Sequence, residues 1–277
     1  MEILTLVENL TYRQGTKGEH GLSFLVRTGD KEVLFDTGQS DLLIRNAQEL
    51  GVDLASVDQV VISHGHYDHT GGLGAFFEVN DHAPVWIKAG AFEEKFSRTT
   101  GQSRYIGISQ EIKTRFRSRF CFVEDEEEIA PGLKIIPTID RYYGFEQPSS
   151  VMQVRREGQM VPDPFADELF VVYEHSEGST VFAGCAHRGI GNICRTAMDV
   201  TGHNTLRLVI GGTHLKGVSA GKISKTVEAF GKMKVEQFAL AHCTGIPAFM
   251  AFSEAFWEKV RYAHVGTRFL PYETGMS

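Results

Sequence analysis

The sequence predicts an α/β protein in which two β-sheets pack face to face with helices on both outer surfaces, a four-layer αββα sandwich. Two observations carry this. Groups of short strand-like runs are followed by helix-like stretches, and the pattern occurs twice along the chain. No linker, low-complexity tract or composition break divides the 277 residues, so 1–277 is expected to form a single domain.

Strands are expected at 3–7, 22–27, 32–36, 59–63, 85–89, 133–137, 169–173, 180–184, 206–211 and 236–241. Thr28-Gly29-Asp30 and Ser176-Glu177-Gly178 supply hairpin turns between strand pairs. The first helix is expected over 41–50, capped by Ser40 and stopped by Gly51. Others follow at 190–200, 219–231 and 248–261.

Hydrophobic residues make up 42% and charged residues 23%, the balance of a soluble globular protein. A formal net charge of −7 argues against a nucleic-acid binder, which carries a basic surplus. No stretch approaches the ~20 apolar residues of a membrane span. The start, Met1-Glu2-Ile3-Leu4-Thr5-Leu6-Val7-Glu8, lacks the basic and long apolar regions of a signal peptide, so a cytoplasmic location is expected. The cysteines Cys121, Cys185, Cys194 and Cys243 form no C-x-x-C pair and are too sparse for a disulfide framework. Cys121, within Phe120-Cys121-Phe122-Val123, reads as a buried small hydrophobe.

Two charged runs stand out. Glu124-Asp125-Glu126-Glu127-Glu128 reads as a solvated loop before Pro131-Gly132. Lys113, Arg115, Arg117 and Arg119, interleaved with Phe116 and Phe120, read as an exposed face neutralised by those acids. The alternative is a patch that draws an anionic substrate toward the active centre.

The chemistry concentrates in His64-Gly65-His66-Tyr67-Asp68-His69, directly after the apolar run Val60-Val61-Ile62-Ser63. Three imidazoles and a carboxylate lie within six residues at the end of a strand, and these are ligands that zinc and similar divalent metals accept. The short chain between them keeps the cost of closing a metal site low. Two later strands also end on His: 180–184 leads into Cys185-Ala186-His187-Arg188, and 236–241 leads into His242-Cys243. His187 is the preferred completing ligand, with Cys185 either a small neighbour or itself a soft thiolate ligand. Residues 185 and 187 share a side if the strand continues that far. His214, in Gly211-Gly212-Thr213-His214-Leu215, also follows a strand and is a candidate site neighbour. His20 is a weaker one. His82, His175, His203 and His264 read as surface residues.

Ser63-His64-Gly65-His66-Tyr67-Asp68-His69-Thr70-Gly71-Gly72 resembles the H-x-H-x-D-H signature of the metallo-β-lactamase superfamily. The resemblance implies the same αββα sandwich, the metallo-β-lactamase fold. It implies that His64 and His66 serve one metal and that Asp68 and His69 serve a second. His242 matches the family's last ligand, and Asp36 its hydrogen-bonding support for the ligand loops. Gly184-Cys185 departs from the usual Gly-Asp, and no residue of Thr138-Ile139-Asp140-Arg141-Tyr142 matches the usual third His. Glu19-His20-Gly21-Leu22-Ser23, Gly184-Cys185-Ala186-His187-Arg188-Gly189-Ile190, Gly211-Gly212-Thr213-His214-Leu215 and His242-Cys243-Thr244-Gly245 look like the dihydropterin-synthase-like branch, in which Cys185 and His187 are usual. A member of that branch joins a dihydropterin diphosphate to an aminobenzene ribosyl phosphate.

The expected function is a metal-dependent transferase or hydrolase of a phosphorylated or pterin-like small molecule. It would use one or two divalent ions, with zinc first and iron or manganese also suited to the ligands. His64, His66, Asp68, His69, His187 and His242 would be ligands. Asp68 and His187 would be catalytic, and Arg188 or the basic stretch would meet an anionic substrate. The alternatives are a metal-dependent hydrolase of esters, lactones or thioesters, and a non-catalytic metal- or pterin-binding protein.

Overall fold

Alternation of side chains along the strands decides the architecture. Leu4, Leu25, Leu34 and Val60 point into one core, while their neighbours Ile3, Phe24, Phe35 and Val61 point into another. Later in the chain Val181, Val209, Phe238 and Leu240 enter a third core, whereas Phe182, Leu208, Ile210 and Ala239 enter the second. Each sheet therefore gives one face to a shared core, and the two sheets lie face to face. Phe35 and Phe182 meet across that interface with ring centroids 6.1 Å apart. Full burial of such a ring contributes roughly 1.5–3 kcal/mol. An exposed pair such as Lys232–Glu228 contributes about 0–1 kcal/mol, so the apolar interface is what joins the sheets.

The computed structural model describes residues 1–270. One seven-stranded sheet runs in the order Arg268–Phe269, Glu2–Val7, Ser23–Thr28, Lys31–Phe35, Gln59–Val61, Val85–Ile87, Phe120–Phe122. Helices Leu42–Glu49 and Leu73–Val79 cover its outer face through Leu43, Ala47, Leu73 and Phe76. The facing seven-stranded sheet runs Val260–Tyr262, Lys234–Ala241, Thr205–Gly212, Gly178–Ala183, Phe170–His175, Leu133–Ile136, Glu127–Ala130. Its outer face is covered by Ile190–Thr201, Ala220–Gly231 and Ile246–Phe256. The four-layer αββα sandwich expected from the sequence is the fold observed.

Both predicted hairpins form, with Gly29 and Gly178 at positive φ in their turns. Leu42 N–H donates to Ser40 Oγ at 3.1 Å, and Gly51 at φ 70 ends the first helix. Other segments differ from expectation. The helix expected to reach 261 ends at Phe256, because Trp257 turns to φ 48 and Val260–Tyr262 pairs in parallel with Phe238–Leu240. The acidic run is only partly loop: Glu127–Ala130 adds an edge strand beside Leu133–Ile136, where exposed carboxylates are tolerated. Cys121 is half-buried, since its strand closes the edge of its sheet. A third sheet, in the order Gln159–Pro162, Met152–Arg156, Glu94–Ser97, Arg104–Tyr105, escapes sequence reading because its strands are short and largely polar. Among the described residues no helix is long and apolar enough to cross a membrane.

His175 is a correction. It lies buried in Phe170–His175, where Nε2 meets Thr180 Oγ1 at 2.8 Å. Burial, aided by Arg207, lowers its pKa from 6.5 to about 4. His203 and His264 are half-buried, and His82 is exposed as expected. As pH falls below 6.5 the unfolded chain takes up this proton first, so His175 erodes stability down to about pH 4 and no further. Urea unfolding at pH 7 and pH 5 should show a smaller loss for His175→Gln than for the wild type. An identical loss would contradict the assignment.

Candidate metal centre

The parallel strands Lys31–Phe35 and Gln59–Val61 of one sheet, and Gly178–Ala183, Thr205–Gly212 and Lys234–Ala241 of the other, open their carboxyl ends onto one rim. There Asp36 adopts φ 58, a conformation costly outside glycine and found where surrounding contacts enforce it. Its Oδ1 accepts Ser63 N–H at 2.8 Å, and its Oδ2 accepts the Ser63 hydroxyl at 2.8 Å. The same Oδ2 accepts His69 Nδ1–H at 2.6 Å.

Because the Ser63 hydroxyl hydrogen points to Asp36, its oxygen is left to accept from His64 Nδ1 at 2.9 Å. His242 Nδ1 likewise faces Asn9 Oδ1 at 2.8 Å. The acceptors thus place a ring N–H on Nδ1 of His64, His69 and His242 and turn each Nε2 toward the ligand groups. Gly184 makes the brace possible: a Cβ there would collide with Ser63 Oγ.

Buried Nε2 atoms of His64, His66, His187 and His242, and Nδ1 of His187, have no hydrogen-bond partner. His242 Nε2 lies 3.3 Å from Asp68 Oδ2 but out of line for a hydrogen bond. An unsatisfied buried polar atom costs about 1–3 kcal/mol, so a cluster of them signals a ligand site. The rings converge. His64 lies 4.5 Å from His66, 4.4 Å from His69 and 4.8 Å from His187 between centroids. Mutually close ligand atoms form the groups His64–Cys185–His187, His69–Cys185–His242, Cys185–His214–Cys243 and His20–Asp68–His242. Neutral imidazoles, a carboxylate and a thiol are a donor set that suits a divalent ion of zinc's type.

The electrostatics fit that reading. Burial lowers His66 to about 3 and holds His64 and His187 well below their ordinary value, so all three are neutral at pH 7. Burial also opposes charge on His69, but the Asp36 and Asp68 carboxylates outweigh it and push its pKa up to about 9. Ligation through His69 at neutral pH therefore releases a proton. Burial works against the Asp68 carboxylate, yet His69, the 3.1 Å contact from His20 Nε2 and nearby His242 keep it well below the carboxylate range. Burial and the adjacent Cys243 push the Cys185 thiol up.

Several supporting residues were not visible in the sequence. Glu168, buried and raised by that burial to about 7, accepts the backbone N–H groups of His187 and Arg188 at 2.7 and 2.8 Å. Phe165 stacks on His187 at 3.9 Å. Lys95, buried between Asp163 and Asp167, ties the third sheet to Gly65, whose N–H donates to Asp167. Their sequence separations are large and their residue types ordinary, so no local pattern marks them.

Above the ligand groups opens a cavity of about 950 Å³. Its lining includes His20, His66, Asp68, Cys185, His187, His214 and His242, and its walls carry Tyr67, Arg104, Lys216 and Lys222. His214, at φ 50, stands 4.1 Å from the His187 ring. Arg188 instead lines a second space of about 390 Å³, beyond the shared wall Glu146–Ser150. The basic stretch is also elsewhere. Lys113 bonds Phe92 O, Arg115 pairs with Glu78, Arg117 lies over Phe122, and Arg119 holds the carbonyls of Asn80 and Ala83. None of the four lines the large cavity.

Residues 16–221 match the family model described as the metallo-β-lactamase superfamily. The chain is 29% identical to a 7,8-dihydropterin-6-methyl-4-(beta-D-ribofuranosyl)-aminobenzene-5'-phosphate synthase of Methanocaldococcus jannaschii, over 96% of this chain and 95% of that one. It is 30% identical to an uncharacterized protein of the same organism, over 95% and 98%. Among solved structures it resembles a metal-dependent hydrolase of the β-lactamase superfamily, with 33% identity, a TM-score of 0.83 and 98% of each chain covered. A diphosphatase at 15% identity and a TM-score of 0.53 shares the fold. Sequence match, architecture and the imidazole-lined rim agree: this chain belongs to the metallo-β-lactamase superfamily.

Proposed function

We propose that this protein is a metal-dependent enzyme, a transferase or hydrolase, acting on a phosphorylated or pterin-like small molecule. The observation that carries the reading is the convergence of unpartnered imidazole nitrogens on the floor of a cavity with cationic and aromatic walls. The similarity to a dihydropterin-related synthase along nearly the whole chain supports the substrate class. His64, His66 and His187 would hold one divalent ion, and Asp68, His69 and His242 a second. Such ions, when bound, polarise a phosphoryl oxygen and stabilise charge on a leaving group.

The chain's own groups do the rest. Asp36, Ser63 and Asn9 keep the ligand rings from rotating. Arg104, Lys216 and Lys222 are the cations available to an anionic substrate group. Tyr67, with the Arg104 guanidinium 5.2 Å from its ring centre, offers an aromatic surface for stacking. Asp68 touches His20, whose side chain is 44% exposed, so this pair leads from the floor to solvent and can carry a proton outward. His187, stacked on Phe165 and backed by Glu168, is held rigidly for its part in the site.

Zinc-reconstituted protein assayed with phosphodiesters, lactones, and a pterin diphosphate plus an aminobenzene ribosyl phosphate tests the reading. Turnover of phosphorylated compounds supports it. Turnover of lactones alone selects a general hydrolase, and metal binding without any turnover selects a binding protein. With a verified substrate, Asp68→Asn should lower kcat by about 10²–10⁴-fold, with a smaller change in KM. Near-normal kcat with metal retained would remove Asp68 from the mechanism. Arg104→Ala or Lys222→Ala should raise KM for the phosphorylated substrate by about 10–100-fold, the worth of one hydrogen bond to a charged group. An equal rise for a dephosphorylated analogue would show that neither cation reads the phosphate.

A further inference from the structure

Three of the four ligand groups share one residue, Cys185. Cys185 Sγ belongs both to the group with His64 and His187 and to the group with His69 and His242. Among the described residues no other side chain is common to both groups: Asp68 Oδ2 reaches only the second, 3.9 Å from His69 Nε2 and 3.3 Å from His242 Nε2. Cys185 is buried, and its sulfur lies 3.2 Å from His69 Nε2.

The local fold holds the sulfur there. Cys185 follows directly on Gly184, whose missing Cβ lets the end of strand Gly178–Ala183 come against the Ser63–Asp36 brace. The neighbouring Cys243 is differently engaged: its sulfur accepts His214 N–H at 3.2 Å and lies 3.5 Å from the Cys185 carbonyl oxygen. Gly212 leaves the space that Cys243 Sγ fills.

We propose that Cys185 is a ligand common to both ions, a bridging thiolate between the His64–His187 and His69–His242 groups. The inference rests on the metal-dependent reading above and assigns a residue that the preferred ligand set leaves as a neighbour. A sulfur at this place adds negative charge between two cations held mainly by neutral imidazoles, and its softness biases the pair toward zinc over magnesium or calcium.

The test is titration of chelator-treated full-length protein with Co²⁺, following the sulfur-to-cobalt charge-transfer absorption, with X-ray absorption of the Zn²⁺ form. The wild type should show the band at both equivalents of Co²⁺ and a sulfur neighbour at about 2.3 Å from zinc. Cys185→Ser should lose the band and bind fewer equivalents. Cys185→Asp should regain the second equivalent without the band, and Cys243→Ser should keep both. Wild-type protein that holds cobalt without the band, or zinc without a sulfur neighbour, would overturn the proposal even if the variants fail to fold. An undiminished band in Cys185→Ser would overturn it too. Wild-type protein that binds neither ion would overturn the metal-dependent reading itself, and the bridge with it.

Discussion

The Asp36 carboxylate is the contact on which the rest of the site depends. Both oxygens are engaged, by the Ser63 amide, the Ser63 hydroxyl and the His69 ring. Through Ser63 the constraint passes to His64, so one carboxylate sets the tautomer and direction of two imidazoles. The second sheet meets this brace at Gly184, where no side chain larger than hydrogen fits. The apolar interface around Phe35 and Phe182 brings the sheets together, and the Asp36 brace turns their joined rim into a fixed array of nitrogen donors.

Much of this was legible in the sequence because it is local. The six residues His64 to His69 carry their own pattern, and the strand before them is marked by its apolar run. Asp36 and His242 could be read because each directly follows a strand, and His187 because it lies in the short turn just beyond one. The order of strand-like runs followed by helix-like stretches, twice over, made the sandwich readable, and the alternation of Val60, Val61 and Ile62, or of Val181, Phe182 and Ala183, then decides which face meets which core. What escaped depends on pairings far apart in the chain. Asn9 reaches His242 across 233 residues, and Glu168 reaches the His187 amide across 19. Lys95 finds Asp167 only once the third sheet has formed. His175 looked like a surface residue because its neighbours are polar, yet its strand lies inside the second sheet. The basic stretch read as an exposed face neutralised by the acidic run, with an anion patch as the alternative, but Lys113 is buried and the side chains are taken up by carbonyls, aromatic rings and Glu78.

Floor and walls of the cavity follow different rules. On the floor, positive φ at Asp36, His214 and His242 and rings locked by hydrogen bonds point to a preformed ligand array. The walls come from the third sheet, from loops and from the start of helix Ala220–Gly231, with Arg104 and Lys216 exposed and Lys222 half-exposed. Such side chains can change without disturbing the core, which is how one fold serves many substrates. Substrate choice therefore belongs to Arg104, Lys216, Lys222 and Tyr67, and metal chemistry to the rim.

The central claim, that Asp36 orients the ligand rings, is tested most directly by zinc affinity measured in competition with a chromophoric chelator. Asp36→Asn retains the shape of the side chain but supplies only one accepting oxygen where the native carboxylate supplies two. The account predicts zinc binding weaker by about 10–100-fold, with the far-ultraviolet circular dichroism of the wild type. A folded Asp36→Asn protein that binds zinc as tightly as the wild type would contradict it.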